Sequence, residues 1–287
     1  MFRSLFVSTV VASLTLCAVA LPSASLNARA TDIDDITILN YALTLEHLEN
    51  NFYHDALAKF DQKAFQKAGY PDYVRERIVE IAAHERSHVD FLAKALGSKA
   101  TQPCSYKFPY NDPESFLALS GIIEGVGTSA YSGAAPFIAN KDYLAAAATI
   151  LTTEARHASW VTAAANKMAP WGKAFDTPLG PNEVYTLVAP FITSCPKTNP
   201  KLPVRAFPTL TLQNAAPGQL AAVGAPSNLK PTYIVFFNGL EKTFVPITNG
   251  KVKIPAGLKG QTYAIATKNS TDASDDAIVA GPAILVY

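Results

Sequence analysis

Two short patterns with the same chemistry recur in this 287-residue chain. Glu85-Arg86-Ser87-His88 and Glu154-Ala155-Arg156-His157 each set a carboxylate and an imidazole three residues apart, which a helix would place on one face. Ahead of each pattern stands a glutamate followed seven residues later by a tyrosine, Glu46 with Tyr53 and Glu124 with Tyr131. Four carboxylates and two imidazoles are a donor set for divalent transition ions, with iron or manganese favoured and zinc left open.

Helices must position these groups. Period-3.6 patterning covers 32–60, 72–97, 113–138 and 141–168, with start and stop signals at Asp32 to Asp35, Pro71-Asp72, Gly97 and Asp112-Pro113-Glu114. In the second helix the apolar stripe Val74, Ile78, Ile81, Leu92, Leu96 encloses Glu85 and His88. In the fourth, the stripe through Ala147, Ile150 and Val161 encloses Glu154 and His157. Glu46 and Glu124, with Tyr53 and Tyr131, lie on the stripes of the other two.

Burying such groups without partners would cost several kcal/mol for each ion. Arg86 and Arg156 sit one residue from their glutamate or histidine, turned by about 100 degrees from that face. Two divalent ions offset the four glutamates and leave the imidazoles neutral. The connections 61–71 and 138–141 suit tight reversals, whereas 98–112 can reach about 50 Å when extended. That exceeds the roughly 38 Å of a 25-residue helix, so a four-helix bundle with one long crossover between its second and third helices is expected.

At these residues the chain resembles the ferritin-like superfamily of di-iron and di-manganese carboxylate proteins, through His84-Glu85-Arg86-Ser87-His88 and Glu46 with Tyr53. The run from Glu124 to Tyr131 with Ser132-Gly133-Ala134-Ala135-Pro136 is similar to secreted members linked to stress responses in fungi and desiccation in plants. The resemblance implies bridging roles for Glu85 and Glu154, terminal roles for Glu46 and Glu124, and one nitrogen ligand each from His88 and His157. Glu49 stays open between an added ligand, an acceptor behind the ligands and a solvated charge. Tyr53 and Tyr131 are read as packing residues able to donate a hydrogen bond or an electron. His47, His54 and His84 are read as solvated. Gly121, Gly125 and Gly127 each cost about 1 kcal/mol relative to alanine in a helix. They are read as permitting close helix approach or leaving room for O₂ or peroxide.

The rest of the chain sets the context. Arg3, the apolar run Leu5 to Leu21 and small residues at Ala18-Val19-Ala20 read as a signal peptide, 1–20, with cleavage as late as residue 30. Its removal leaves Cys104 and Cys195, expected as a structural disulfide in an extracellular or cell-wall protein, and Asn269-Ser270-Thr271 is a weak glycosylation sequon. A formal charge of +1 gives no footprint for nucleic acid, and no further segment suits a membrane. Domains are expected at 31–170 for the bundle, 171–202 for an irregular extension and 203–287 for a small immunoglobulin-like β-sandwich. The β domain could dock on the bundle, join two copies or contact a wall. The sequence therefore reads as a secreted dinuclear Fe or Mn oxidase or oxidant and metal scavenger. Its rival is a structural desiccation or wall-contact protein in which the metal only braces the bundle or is lost.

Overall fold

The computed structural model describes residues 33–287, so the expected leader lies outside the described residues. Asp34 accepts from the Thr37 amide and starts α1 (Asp35–Lys59). A short α2 (Gln62–Lys67) fills the connection expected to be a plain turn, and α3 (Asp72–Leu96) follows Pro71 and ends at Gly97, whose φ of 57° suits glycine. The Asp112 and Ser115 side chains form a reciprocal cap on α4 (Pro113–Ala134). Asn140 caps α5 (Lys141–Trp160), which runs into a π-helical turn over Val161–Ala165. Four long helices thus stand close to where the periodicity puts them.

α1 packs on α3, α4 packs on α5, and the two pairs meet through α1 and α4. Tyr131 reaches Glu46 and Tyr53 reaches Glu124, so α1 and α4 run antiparallel. With α1 and α3 forming a hairpin, α3 and α4 must then be parallel, and the connection between them has to travel the bundle's length. That is the one-crossover arrangement expected above. The crossover is pinned along its way. Phe108 and Tyr110 pack edge-on against Phe52 of α1, and β1 (Ser105–Tyr106) pairs with β2 (Ile192–Ser194). Cys104 and Cys195 are joined beside that pair, as expected.

The stretch read as an irregular extension contains α6 (Pro181–Val188), which packs on α4. After it come seven strands in two antiparallel sheets. The smaller has the order β3 (Thr211–Gln213), β4 (Leu220–Gly224), β7 (Lys251–Lys253); the larger has β6 (Glu241–Pro246), β5 (Tyr233–Asn238), β8 (Gln261–Thr267), β9 (Ile278–Val286). β4, Leu220-Ala221-Ala222-Val223-Gly224, has few β-branched residues and so carries little strand signal in the sequence. Alternation sorts β5 and β8 by face. Ile234, Phe236, Ala264 and Ala266 join Ala221 and Val252 between the sheets, while Val235, Phe237, Tyr263 and Ile265 join the core of the helices. Of the roles considered for the β domain, docking on the bundle is the one the fold displays. Among the described residues no helix is long and apolar enough to cross a membrane.

Candidate metal centre

Four helices deliver six groups to one buried point. Glu46 from α1, Glu85 from α3, Glu124 from α4 and Glu154 from α5 are fully buried, and His157 and His88 nearly so. Glu46, Glu85, His88 and Glu154 bring one donor atom each within 4.8 Å of one another; Glu85, Glu124, Glu154 and His157 do the same. Glu85 and Glu154 belong to both sets. Nδ1 of His88 lies 3.2 Å from Glu46 and from Glu154 and 3.3 Å from Glu85. Nδ1 of His157 lies 3.1 Å from Glu85 and 3.3 Å from Glu124. The three-residue spacing in α3 and α5 is what turns each carboxylate and its imidazole to the same side.

The tyrosines hold the outer glutamates in a reciprocal pattern. Tyr131 of α4 donates to Oε1 of Glu46 on α1, and Tyr53 of α1 donates to Oε1 of Glu124 on α4 while sharing a 2.7 Å hydrogen bond with Ser120. Each glutamate thereby has one oxygen tied back and the other, Oε2, turned toward a histidine.

Charge at this point is carried by protons when no metal is present. Burial opposes ionisation of Glu46, Glu124 and Glu154 and raises all three, Glu46 to about 7. Glu85 falls to about 2 in spite of burial, because the imidazoles of His157 and His88 both face it. Burial also disfavours the imidazolium of His88 and of His157, yet the facing carboxylates prevail and lift them to about 12 and about 9.

These groups fit a pair of cations. Among the described residues nine buried side-chain polar atoms have no hydrogen-bond partner, and seven belong to Glu46, Glu49, Glu85, Glu124, Glu154 and His157. Native interiors tolerate few such atoms; here the Glu46, Glu85 and Glu124 oxygens face imidazole nitrogens at 3.1–3.3 Å without hydrogen-bond geometry, an arrangement that suits a positive ion between them. Oxygen-rich donors with one nitrogen per set suit hard to borderline divalent ions.

The neighbouring residues depart from expectation in instructive ways. Glu49 is buried beside Glu154, so the solvated reading fails; it belongs to neither donor set, and burial with four surrounding carboxylates holds its own carboxyl well above the usual range. His47 is also buried, its Nε2 3.1 Å from the Thr101 carbonyl, where it ties α1 to the start of the crossover. His54 and His84 are both exposed, as expected. The His84 ring nonetheless lies nearly parallel to that of His157, with Nδ1 2.9 Å from His157 Nε2. Its position immediately before Glu85 gave no periodic signal for that contact. Arg86 and Arg156 bond to Asp90 and Thr153 on the surface, away from the site.

The three glycines do different things. A Cβ on Gly121 would meet Asn166, one on Gly125 would stand 2.6 Å from Gln261 of the β domain, and one on Gly127 would stand 2.9 Å from Glu49 and 3.0 Å from Glu154. Only Gly127 opens space at the carboxylates, next to a cavity of about 40 Å³ that Glu49 and apolar side chains line.

Comparison with known proteins agrees with this geometry. Residues 34–167 match the family described as the ferritin-like domain. The protein named Protein rds1 from Schizosaccharomyces pombe is 29% identical over 227 residues, covering 78% of this chain and 51% of that protein. The chain therefore spans about half the length of that relative.

Proposed function

Residues 34–167 of this chain form a ferritin-like domain, and from that premise we propose that it is a secreted dinuclear iron or manganese protein with a redox role in stress. The observation that carries this is the pair of donor sets sharing Glu85 and Glu154. Two ions, held by one set each, would share Glu85 and Glu154, with Glu46 and His88 on one side and Glu124 and His157 on the other.

A bound Fe or Mn pair would supply electrons to O₂ or peroxide, as an oxidase or as a scavenger. The chain's own part is positional. Tyr131 and Tyr53 fix the outer glutamates, helix packing excludes water, and Gly127 leaves Glu49 room beside Glu154. Glu49 serves as an acceptor behind the ligands. The disulfide suits an oxidising compartment, and extracellular placement belongs to this same proposal.

Elemental mass spectrometry on protein from its own host tests the reading, alongside Glu85→Ala and His157→Ala. About two Fe or Mn per chain are expected, lost in both variants, with O₂ consumed when Fe(II) is added. Absence of metal after reconstitution with Fe and Mn would defeat it. Metal bound without O₂ or peroxide consumption would leave the bracing role of the rival reading.

A further inference from the structure

We infer that His84 is a positioning residue for the second metal ion: it accepts a hydrogen bond from His157 and thereby selects Nδ1 of His157 as the ligating nitrogen. This rests on the dinuclear reading above, and it concerns a residue outside both donor sets.

The geometry has three parts. Nδ1 of His157 faces Glu85 and Glu124, so this nitrogen alone points at the ion's place. The opposite nitrogen, Nε2, lies 2.9 Å from Nδ1 of His84. The rings are nearly parallel, 8° between planes and 5.1 Å between centroids, so the contact also fixes the rotation of the His157 ring.

A neutral imidazole carries one proton. If Nδ1 gives its lone pair to a metal, the proton must sit on Nε2 and be donated outward. His84 Nδ1 then accepts it and carries its own proton on Nε2, at the exposed edge of α3. A histidine ligand whose far N–H is held in this way binds with a set tautomer and ring angle, and loss of such a partner typically weakens metal binding about 10–100-fold. In this chain the partner is another imidazole, supplied by the residue just before the bridging Glu85, so one turn of α3 serves both ions.

The test uses the full chain and Co²⁺ or Zn²⁺ alone, which need no turnover. Wild type, His84→Ala, His84→Asn and the surface control His54→Ala are titrated with Co²⁺ by calorimetry and visible absorption. Two ions per chain are expected for wild type and His54→Ala. His84→Ala should bind one ion normally and the other about 10–100-fold more weakly, and His84→Asn, whose amide oxygen can accept, should recover part of the loss. In Zn²⁺-loaded protein with ¹⁵N-labelled histidine, His157 should show a metal-bound Nδ1 and a slowly exchanging Nε2–H that exchanges faster in His84→Ala. Equal affinities and equal exchange in wild type and His84→Ala, or zinc on Nε2 of His157, would overturn the inference while leaving the dinuclear reading intact. Failure of wild type to bind any ion would instead bring down that reading, and the inference with it.

Discussion

Gly127 shows how one missing methyl group can matter to a buried site. In the middle of a helix, glycine to alanine normally adds up to about 1 kcal/mol of stability. Here the added Cβ would stand 2.9 Å from Glu49 and 3.0 Å from Glu154. Gly127→Ala should therefore fail to raise the melting temperature of the metal-free protein and should weaken metal binding by about tenfold, roughly 1.4 kcal/mol. A rise in melting temperature with unchanged affinity would show that the two carboxylates shift freely. Glu49→Gln is the companion case. Burial and four neighbouring carboxylates push the Glu49 carboxyl well above its usual range, so a neutral amide of the same shape should preserve two ions per chain; stoichiometry falling to one would make Glu49 a ligand. Glu85 and His88 stood out in the sequence because they interrupt an apolar stripe, and so did Glu154 and His157. Glu49 stayed ambiguous there, since the small cavity it lines is also lined by Leu187 and Val188 of α6 and Ile284 of β9, residues far off in the sequence.

Among the elements, α4 is held from two sides. On the bundle side, Tyr131 and Tyr53 cross-link α4 and α1 through Glu46 and Glu124. On the other, β8 of the sheet lies against the helix at Gly125. Tyr263 donates to the Gly125 carbonyl and bonds Ser129 at 2.8 Å, while Gln261 donates to the Ile122 carbonyl. The sheet thus braces the helix that carries Glu124. Tyr263→Phe removes the buried hydroxyl that accepts from Gln261 and leaves Ser129 only its own bond to the Gly125 carbonyl, and should cost about 1–3 kcal/mol in urea unfolding. Amide exchange should accelerate along α4 more than along α3. Uniform acceleration across all four helices would mean that the contact stabilises the fold without bracing α4. This bracing was beyond the reach of periodicity. The Glu-to-Tyr repeat was visible at a spacing of seven, but which tyrosine reaches which glutamate follows from the antiparallel run of α1 and α4. Nothing local in Gly125 reveals that a glutamine about 136 residues later needs its space.

The whole molecule adds a second buried acidic cluster where bundle, α6 and β domain meet. Glu183 on α6 is buried, with Gly180 and Tyr41 of α1 nearby, and shares the site with Asp275 from the loop before β9. Asn182 donates to Asp275 and accepts from the Arg205 amide, so α6, the following segment and the sheet are fastened together here. Burial first, and then the charge of Asp275, raises Glu183 from 4.5 to about 7, with Lys242 pulling weakly the other way. The folded protein thus holds this proton more tightly than the unfolded chain does. Its contribution is fully present below about pH 4.5, declines as pH rises, and is gone above about 7. A shift of that size corresponds to roughly 3 kcal/mol. Metal-free protein should accordingly lose stability between pH 5 and pH 8 in urea unfolding, over and above any change from the metal ligands. Glu183→Gln, which keeps the shape and stays neutral, should flatten this part of the profile and stabilise the protein most at pH 8. The ligand glutamates and histidines contribute equally to wild type and variant, so the difference between the two curves isolates the clasp. Parallel curves from pH 5 to pH 8 would show that Glu183 titrates like an exposed carboxyl and that the interface does not respond to pH.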